Sequence, residues 1–430
     1  MAGRLRPAVA IVGGGWAGLA AAVTLAEAGC PVTLHEAAKQ LGGRARSLDW
    51  NGIRIDNGQH LMAGAYEQTL ALLRRLGTVH LIERRRLEFH GPEFRLRLPG
   101  LPAPLHLAVG LIAANGLSLA DKLAAARFMQ ALKRQGFRLP DDLPAGQLLK
   151  LHDQSDRLIE CLWQPICVAA LNTPLVEASA QVFCNVLRDS LAGPRAASDM
   201  LFNRADLGRL VPDAARAYLD SRGGTVHLSS KVAGLGQEAG GFRLHGPDTQ
   251  ADRVILATHP ARIPDLLAGL PGTEPLADRL RGYAWQPILT LWLRFATPLR
   301  FPYPMLALGR TDAPWAFERN DLAPGLAAIV ASAEGPHLDL APEVLRDRWL
   351  GLLGERLGPL PALLDWKVIV EKRATYACTP GLWRPANRTA IPGLCLAADY
   401  TAGDYPATLE GAVRSGVKCA QLIIAEERGA

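Results

Sequence analysis

AVAIVGGGWAGLAAAVTLAEAGCPVTLHE, residues 8–36, is the stretch whose reading decides the fold. Its first five residues are short, apolar and β-branched in part, the pattern of a buried parallel strand. Gly13, Gly15 and Gly18 follow at GxGxxG spacing. The alanine-rich run from Leu19 to Ala28 predicts a helix, with Gly29 at its C-cap. Pro31 to His35 predicts a second strand, closed by Glu36. Each part has a mechanical reason. Gly13 permits a tight turn, Gly15 lets the backbone approach a pyrophosphate, and Gly18 lets helix and strand pack closely. The helix start at Trp16 and Ala17 presents unpaired N–H groups and the positive dipole end to phosphates. Glu36, 21 residues beyond Gly15, is spaced to take ribose hydroxyls. Strand, helix, second strand and acid together make a βαβ dinucleotide fingerprint.

The glycine turns beyond Glu36 distinguish among dinucleotides. Gly42, Gly43 and Arg44 suit a loop pressed on a diphosphate, with the guanidinium pairing it. Asp56-Asn57-Gly58-Gln59-His60 offers a second glycine turn. Near the other end, Gly393 to Ala398 reads as a strand before Asp399, and Glu410 to Gly416 begins a helix. These features resemble the FAD-dependent amine oxidase and phytoene desaturase superfamily. The resemblance implies that Gly43 and Arg44 contact FAD and that Gly58, Gln59 and His60 run beside the flavin ring. It further implies that Asp399 binds the ribityl or pyrophosphate region. The helix start near Leu409 then faces the flavin pyrimidine edge, where charge accumulates on reduction. A middle segment, Gly223 to Ala257, is expected to return to the FAD domain, with the backbone of Val232 on the adenine; an ordinary β-meander is the other reading. Two departures stand out. Ala398 replaces the usual glycine before the acid, and Ala38, Lys39 and Gln40 occupy positions where many relatives carry an arginine.

Longer strings narrow the resemblance. DNGQHLMAGAY (56–66), WQPICVAALNTP (163–174), VLRDSL (186–191), ASDMLF (197–202) and DYPATLEGAVRSG (404–416) are similar to the bacterial hydroxysqualene dehydroxylases. The family's activity is reduction of hydroxysqualene to squalene with loss of water, using reduced FAD, as the last step from farnesyl diphosphate and upstream of hopanoids. The implied substrate is an isoprenoid lipid. Carotenoid-type desaturation shares every FAD motif and stays open, as do an amine oxidase and a non-enzymatic prenyl-binding protein.

The chemistry sets its own demands. Hydroxide leaves poorly, so an acid must protonate the allylic hydroxyl, and water must be kept from the carbon centre. The candidates for the acid are His60 and Asp56 in the flavin-side turn, then Asp404 and Tyr405 before the C-terminal helix. Trp163, Trp315 and Trp383 are candidates to line an apolar pocket, with core packing as the alternative for each. Cys378 lacks the local pattern of covalent flavin attachment, so the FAD is expected to be non-covalent.

These pieces predict an α/β chain. A discontinuous Rossmann-like FAD domain takes residues 1–60, 205–260 and 388–430. A mixed α+β substrate domain takes 61–204 and 261–387. No second GxGxxG follows a strand, so no nicotinamide site is expected, and the external electron donor is unassigned. The chain has 430 residues, 49% hydrophobic and 20% charged, with mean hydropathy +0.08. No run of 18 apolar residues exists to span a bilayer. Seven scattered cysteines without a CxxC pair predict a reducing cytosol, and no Cys/His cluster suggests a metal. No cleavable signal is read at the N-terminus.

A formal charge of +6 does not imply nucleic acid. Its distribution says more. From Arg74 to Arg138, 12 Lys/Arg stand against 4 Asp/Glu, so this segment carries +8 and the remainder −2. Within it, Ser118 and Asp121 predict a helix cap, with a helix to about Gln135 and an apolar stripe of Leu119, Leu123, Ala126, Met129 and Leu132. Arg84, Arg85 and Arg86 lie upstream. The expectation is peripheral attachment to the cytoplasmic face of the inner membrane, against a core-facing stripe with solvated charge.

Overall fold

The computed structural model describes residues 6–238, 240–309 and 314–429. At its centre is a five-stranded parallel sheet in the order Thr225–His227, Val32–His35, Val9–Val12, Arg253–Leu256, Leu394–Leu396. Its strands come from the start, middle and end of the chain. The burial of Val9–Val12 is complete, as expected of a central parallel strand covered on both faces. Two helices lie together on one face, Trp16–Glu27 and the C-terminal Leu409–Gly429. Gly416 makes their approach possible: a Cβ there would stand 2.1 Å from the Ala17 carbonyl oxygen.

A second five-stranded sheet is antiparallel, ordered Met305–Ala307, Trp315–Glu318, Leu326–Ser332, Trp285–Phe295, Leu363–Tyr376. Alternation along Trp285–Phe295 divides its two faces. Leu289, Leu291, Leu293 and Phe295 pack on Leu345, Trp349 and Leu353 of helix Pro342–Leu357. Trp292 and Ile288 face the other way, toward Trp50, Ile55 and Phe202. A helical part spans Leu105–Ala113, Leu119–Arg134, Ala145–Leu151, Gln164–Leu171 and Ala180–Ser190. The fold is thus a Rossmann-like α/β unit with a mixed α+β partner that contains a helical part.

The middle segment divides its loyalties. Thr225–His227 joins the parallel sheet, while Gly234–Glu238, Gly241–His245 and Thr249–Ala251 form a separate antiparallel meander. Lys231 and Val232, which the sequence pattern suggests as strand, are loop.

Helix Leu119–Arg134 has the expected capping box of Ser118 and Asp121. Its core face differs from the expected stripe. Ala125, Phe128 and Leu132 are buried, whereas Leu119 and Leu123 are 73% and 49% exposed. Leu119 and Leu123 of the expected stripe therefore point outward rather than into the core, while Leu132 packs inward beside Phe128. Arg84 and Arg85 also differ from a free basic patch. Arg84 pairs with buried Asp199, and Arg85 with Glu83. Among the described residues, no helix is long and apolar enough to cross a membrane.

Candidate functional site

Gly13, Glu36 and Asp399 all follow the carboxyl ends of parallel strands, the edge at which open α/β sheets take ligands. Gly13 leaves the central strand at φ +112°, a backbone region that side chains rarely enter. A Cβ on Gly18 would stand 2.0 Å from the Gly13 oxygen, so only glycine lets the helix begin this close to the turn. Gly15 is the N-cap and offers no side chain to the first-turn N–H groups. A Cβ built there meets only the Gly43 Cα, at 3.9 Å, and one on Gly43 meets the Gly15 Cα at 3.1 Å, so the two glycine turns lie against each other and form one bare backbone cradle. That cradle fits a diphosphate. Trp16 is nearly fully buried and donates its indole N–H to Ala45 O, tying the helix start to the Gly42–Arg46 loop. Ala17 is equally buried, under the C-terminal helix. Only the backbone N–H groups of these two residues can serve a ligand.

Glu36 stands at the end of the second strand. Its carboxylate accepts from the Gly14 N–H at 2.7 Å and the Ala38 N–H at 2.8 Å. Each oxygen keeps acceptor capacity for a ribose hydroxyl. Val232 is buried two residues beyond Ser230, whose N–H donates to Glu36 O.

The flavin-side elements converge from three parts of the chain. One Arg44 nitrogen donates to both oxygens of Asp399 at 2.7 Å, and the other to Ala374 O at 2.6 Å. The loop after Asp399 is fastened by Arg384, which no sequence motif marks. Its guanidinium donates to the carbonyls of Asp399, Tyr400, Gly403 and Tyr405. Leu409 then opens the C-terminal helix, with Thr408 Oγ1 accepting from the Gly411 N–H at 3.1 Å.

The turn Asp56–His60 rests on the inner face of the antiparallel sheet. Trp292 donates its indole N–H to Asp56 O, and Thr290 Oγ1 would lie 3.5 Å from a Cβ on Gly58. Gln59 is held by Arg319, a buried cation that the sequence does not mark either. His60 places Nδ1 2.7 Å from Gly58 O. A carbonyl only accepts, so Nδ1 carries the proton and Nε2 is left as an acceptor. Burial first, then Arg44 and Arg319, hold this imidazole below its usual range, against the raising effect of the Gly58 bond.

The remaining acid candidates stand elsewhere. Asp56 is fully buried, and its oxygens take the Leu207 N–H at 2.7 Å, Ser47 Oγ at 3.2 Å and Asn203 Nδ2 at 3.4 Å. Burial pushes its carboxyl up to about 6, against the opposing pull of Arg319. Its bonds anchor the 203–208 segment to the flavin-side turn. Asp404 is half-exposed and pairs with Arg188 at 3.0 Å. Tyr405 OH accepts from Arg414, and burial raises its phenol. Trp163 is a core residue that donates to Gln154, and Trp383 is 37% exposed beneath Arg279. Burial pushes the Cys378 thiol up to about 12, so it is no ready nucleophile.

The AALNTP string has a structural explanation. Asn172 ends helix Gln164–Leu171 in the left-handed region. Its amide donates to Pro287 O and Thr375 Oγ1 and accepts from the Ala333 N–H. One buried side chain therefore joins the helical part to two strands of the antiparallel sheet and to the residue that follows a third.

A bare-backbone diphosphate cradle, a ribose-spaced acid and a second half-site from the C-terminus define a dinucleotide-binding flavoprotein. The comparisons with known proteins agree. The flavin containing amine oxidoreductase profile matches residues 16–424. The chain belongs to that family; it is an FAD-dependent oxidoreductase. The hydroxysqualene dehydroxylase of Rhodopseudomonas palustris is 30% identical over 98% of this chain and 99% of its own. The enzyme of that name from Sinorhizobium fredii is also 30% identical, over 97% and 98%. The 15-cis-phytoene desaturase of Synechococcus elongatus is 24% identical over 97% and 96%. Among solved structures, putrescine oxidase bound to putrescine superposes with TM-score 0.73 at 19% identity, covering 98% of this chain and 99% of that one.

Proposed function

We propose that this chain converts hydroxysqualene to squalene by reductive dehydroxylation, supplying squalene for hopanoids. The observation that carries the reading is the end-to-end match to hydroxysqualene dehydroxylases at 30% identity, against 24% for the phytoene desaturase. Reduced FAD, when bound, supplies the hydride that completes the new C–H bond. Gly13, Gly15, Gly18, Gly43 and the N–H groups of Trp16 and Ala17 hold its diphosphate. Glu36 and Val232 take the adenosine half. Arg44, Gly58, Gln59, Asp399 and the helix start at Leu409 take the flavin half.

The chain's own task is to break the C–O bond. Nε2 of His60 meets the allylic hydroxyl as an acceptor and orients it. In its protonated form the same nitrogen passes its proton to the departing oxygen, which leaves as water. Burial first, and then Arg44 and Arg319, make that imidazolium scarcer and more acidic than a free one. Asp56, Asp404 and Tyr405 serve as anchors of the surrounding loops. The deciding experiment is product analysis after anaerobic incubation of chemically reduced protein with hydroxysqualene. Squalene is expected; turnover only of a polyene by the oxidised flavin would sink the reading.

The chain meets its substrate at a membrane, on the cytoplasmic leaflet. Leu105, Val109 and Ile112 form one exposed face of helix Leu105–Ala113, at 53%, 40% and 71%. Leu119 and Leu123 extend it, and Arg127, Lys133 and Arg134 stand exposed nearby. Apolar residues flanked by cations suit anionic headgroups. Co-sedimentation with anionic vesicles tests this: Ile112→Asp with Leu119→Asp abolishes pelleting, and unchanged pelleting would refute the face.

A further inference from the structure

We infer that Thr258 and His259 are additional FAD-binding residues, donating hydrogen bonds to the diphosphate–ribityl stretch of the cofactor. The inference rests on FAD occupying the cradle described above.

Both residues follow strand Arg253–Leu256, which lies between the Gly13-bearing strand and the strand leading to Asp399. They therefore leave the sheet at its carboxyl edge, between the two half-sites. Their closeness to the glycine turn is direct. A Cβ on Gly13 would meet Ala257 O at 2.4 Å and Thr258 Cγ2 at 3.2 Å.

The two side chains carry buried polar atoms without a protein partner, Thr258 Oγ1 and His259 Nε2. Buried polar groups without partners are uncommon and call for a ligand or water. The tautomer of His259 is set by its other nitrogen. Nδ1 accepts the Ala261 N–H at 3.3 Å, so in the neutral ring the proton sits on Nε2. The ring is held against Trp285, with centroids 4.3 Å apart and planes 31° apart. Burial, Arg44 and Arg373 keep the imidazole neutral at pH 7, with Asp399 opposing them. It thus offers one fixed N–H donor beside the Arg44–Asp399 pair. A threonine hydroxyl and an imidazole N–H on successive residues suit phosphate oxygens and ribityl hydroxyls.

The test measures FAD affinity of the apoprotein by flavin fluorescence, with circular dichroism and thermal melting of each apo variant as the control for folding. Thr258→Val and His259→Phe are each expected to weaken FAD binding about tenfold, or 1.4 kcal/mol. His259→Gln, which restores an N–H near the Nε2 position, recovers affinity to within about threefold. His259→Asn, which reaches only as far as Nδ1, does not. Wild-type affinity in both Thr258→Val and His259→Phe would overturn the inference, as would a His259→Gln protein as weak as His259→Phe. Failure of the wild-type chain itself to take up FAD would instead overturn the cofactor reading.

Discussion

Arg44 and Asp399 are 355 residues apart in the chain and joined by two 2.7 Å hydrogen bonds from one guanidinium nitrogen. The pair ties the glycine loop of the first half-site to the acid of the second. Arg44→Ala leaves the Asp399 carboxylate buried without its cation. Arg44 is itself about a third exposed, so the expected cost is discounted to about 2 kcal/mol. The variant should lose FAD on gel filtration and melt lower than wild type. Asp399→Asn should do the same, and the double variant should cost less than the sum. Additive costs would mean that the two residues act independently.

Asn172 makes a sharper stability prediction. Asn172→Ala removes the partner of the Ala333 N–H and of Thr375 Oγ1 in a buried site. Its cost should be about 2–4 kcal/mol in urea unfolding. Asn172→Asp should fare no better, since it keeps the acceptor and loses the donors. A cost below about 0.5 kcal/mol for the alanine variant would contradict the bracing role.

Gly416 sets the spacing of two helices. A Cβ would approach the Ala17 carbonyl oxygen to 2.1 Å and the Ala21 nitrogen to 3.1 Å, and neither backbone atom can swing aside. Gly416→Ala should therefore destabilise by about 2 kcal/mol or more and weaken FAD binding, because the helix it shifts carries Leu409. Equal melting temperatures of variant and wild type would refute the contact.

His35 gives the pH dependence of stability a sign. Burial, and secondarily its neighbour His227, lower its pKa to about 4. The unfolded chain binds this proton near 6.5, so the contribution is complete above that value and is lost as pH falls toward 4. His35→Gln does not titrate. Its stability deficit relative to wild type should shrink on acidification by on the order of 1–3 kcal/mol. Parallel pH profiles of the two proteins would exclude His35 as the source.

His60 gives catalysis the same direction. Its lowered pKa keeps the protonated form scarce at neutrality, and a falling pH restores it. The rate of dehydroxylation by reduced protein should rise as pH falls below neutrality, and His60→Gln should be slow and flat. A variant with the wild-type pH profile would move the proton to another group.

Local chemistry is legible in the sequence; alliances between distant segments are not. Gly13, Gly15, Gly18 and Glu36 declare themselves because the strand, turn and helix that use them are contiguous. The Ser118–Asp121 cap is visible for the same reason. Arg319 and Arg384 carry no local pattern, since their partners lie on segments brought together only by folding; Arg319 meets Gln59 260 residues away. Asp56 sits in a legible turn, yet its anchoring role depends on Leu207, 151 residues on. The phase of helix Leu119–Arg134 is hidden because leucines fit either side of an amphipathic helix until Phe128 is known to point inward.

The interleaved parentage of the parallel sheet has a consequence for biosynthesis. Its last strand, Leu394–Leu396, is made long after Arg253–Leu256, the strand along which it pairs. At about 5–20 residues per second, Arg44 waits roughly 20–70 s after leaving the ribosome before Asp399 is made. Throughout that interval the nascent sheet has an open edge, the kind of surface on which chains join one another. A message truncated before codon 394 therefore yields a sticky intermediate that no supply of flavin can rescue, and chaperone capacity becomes part of what this fold requires.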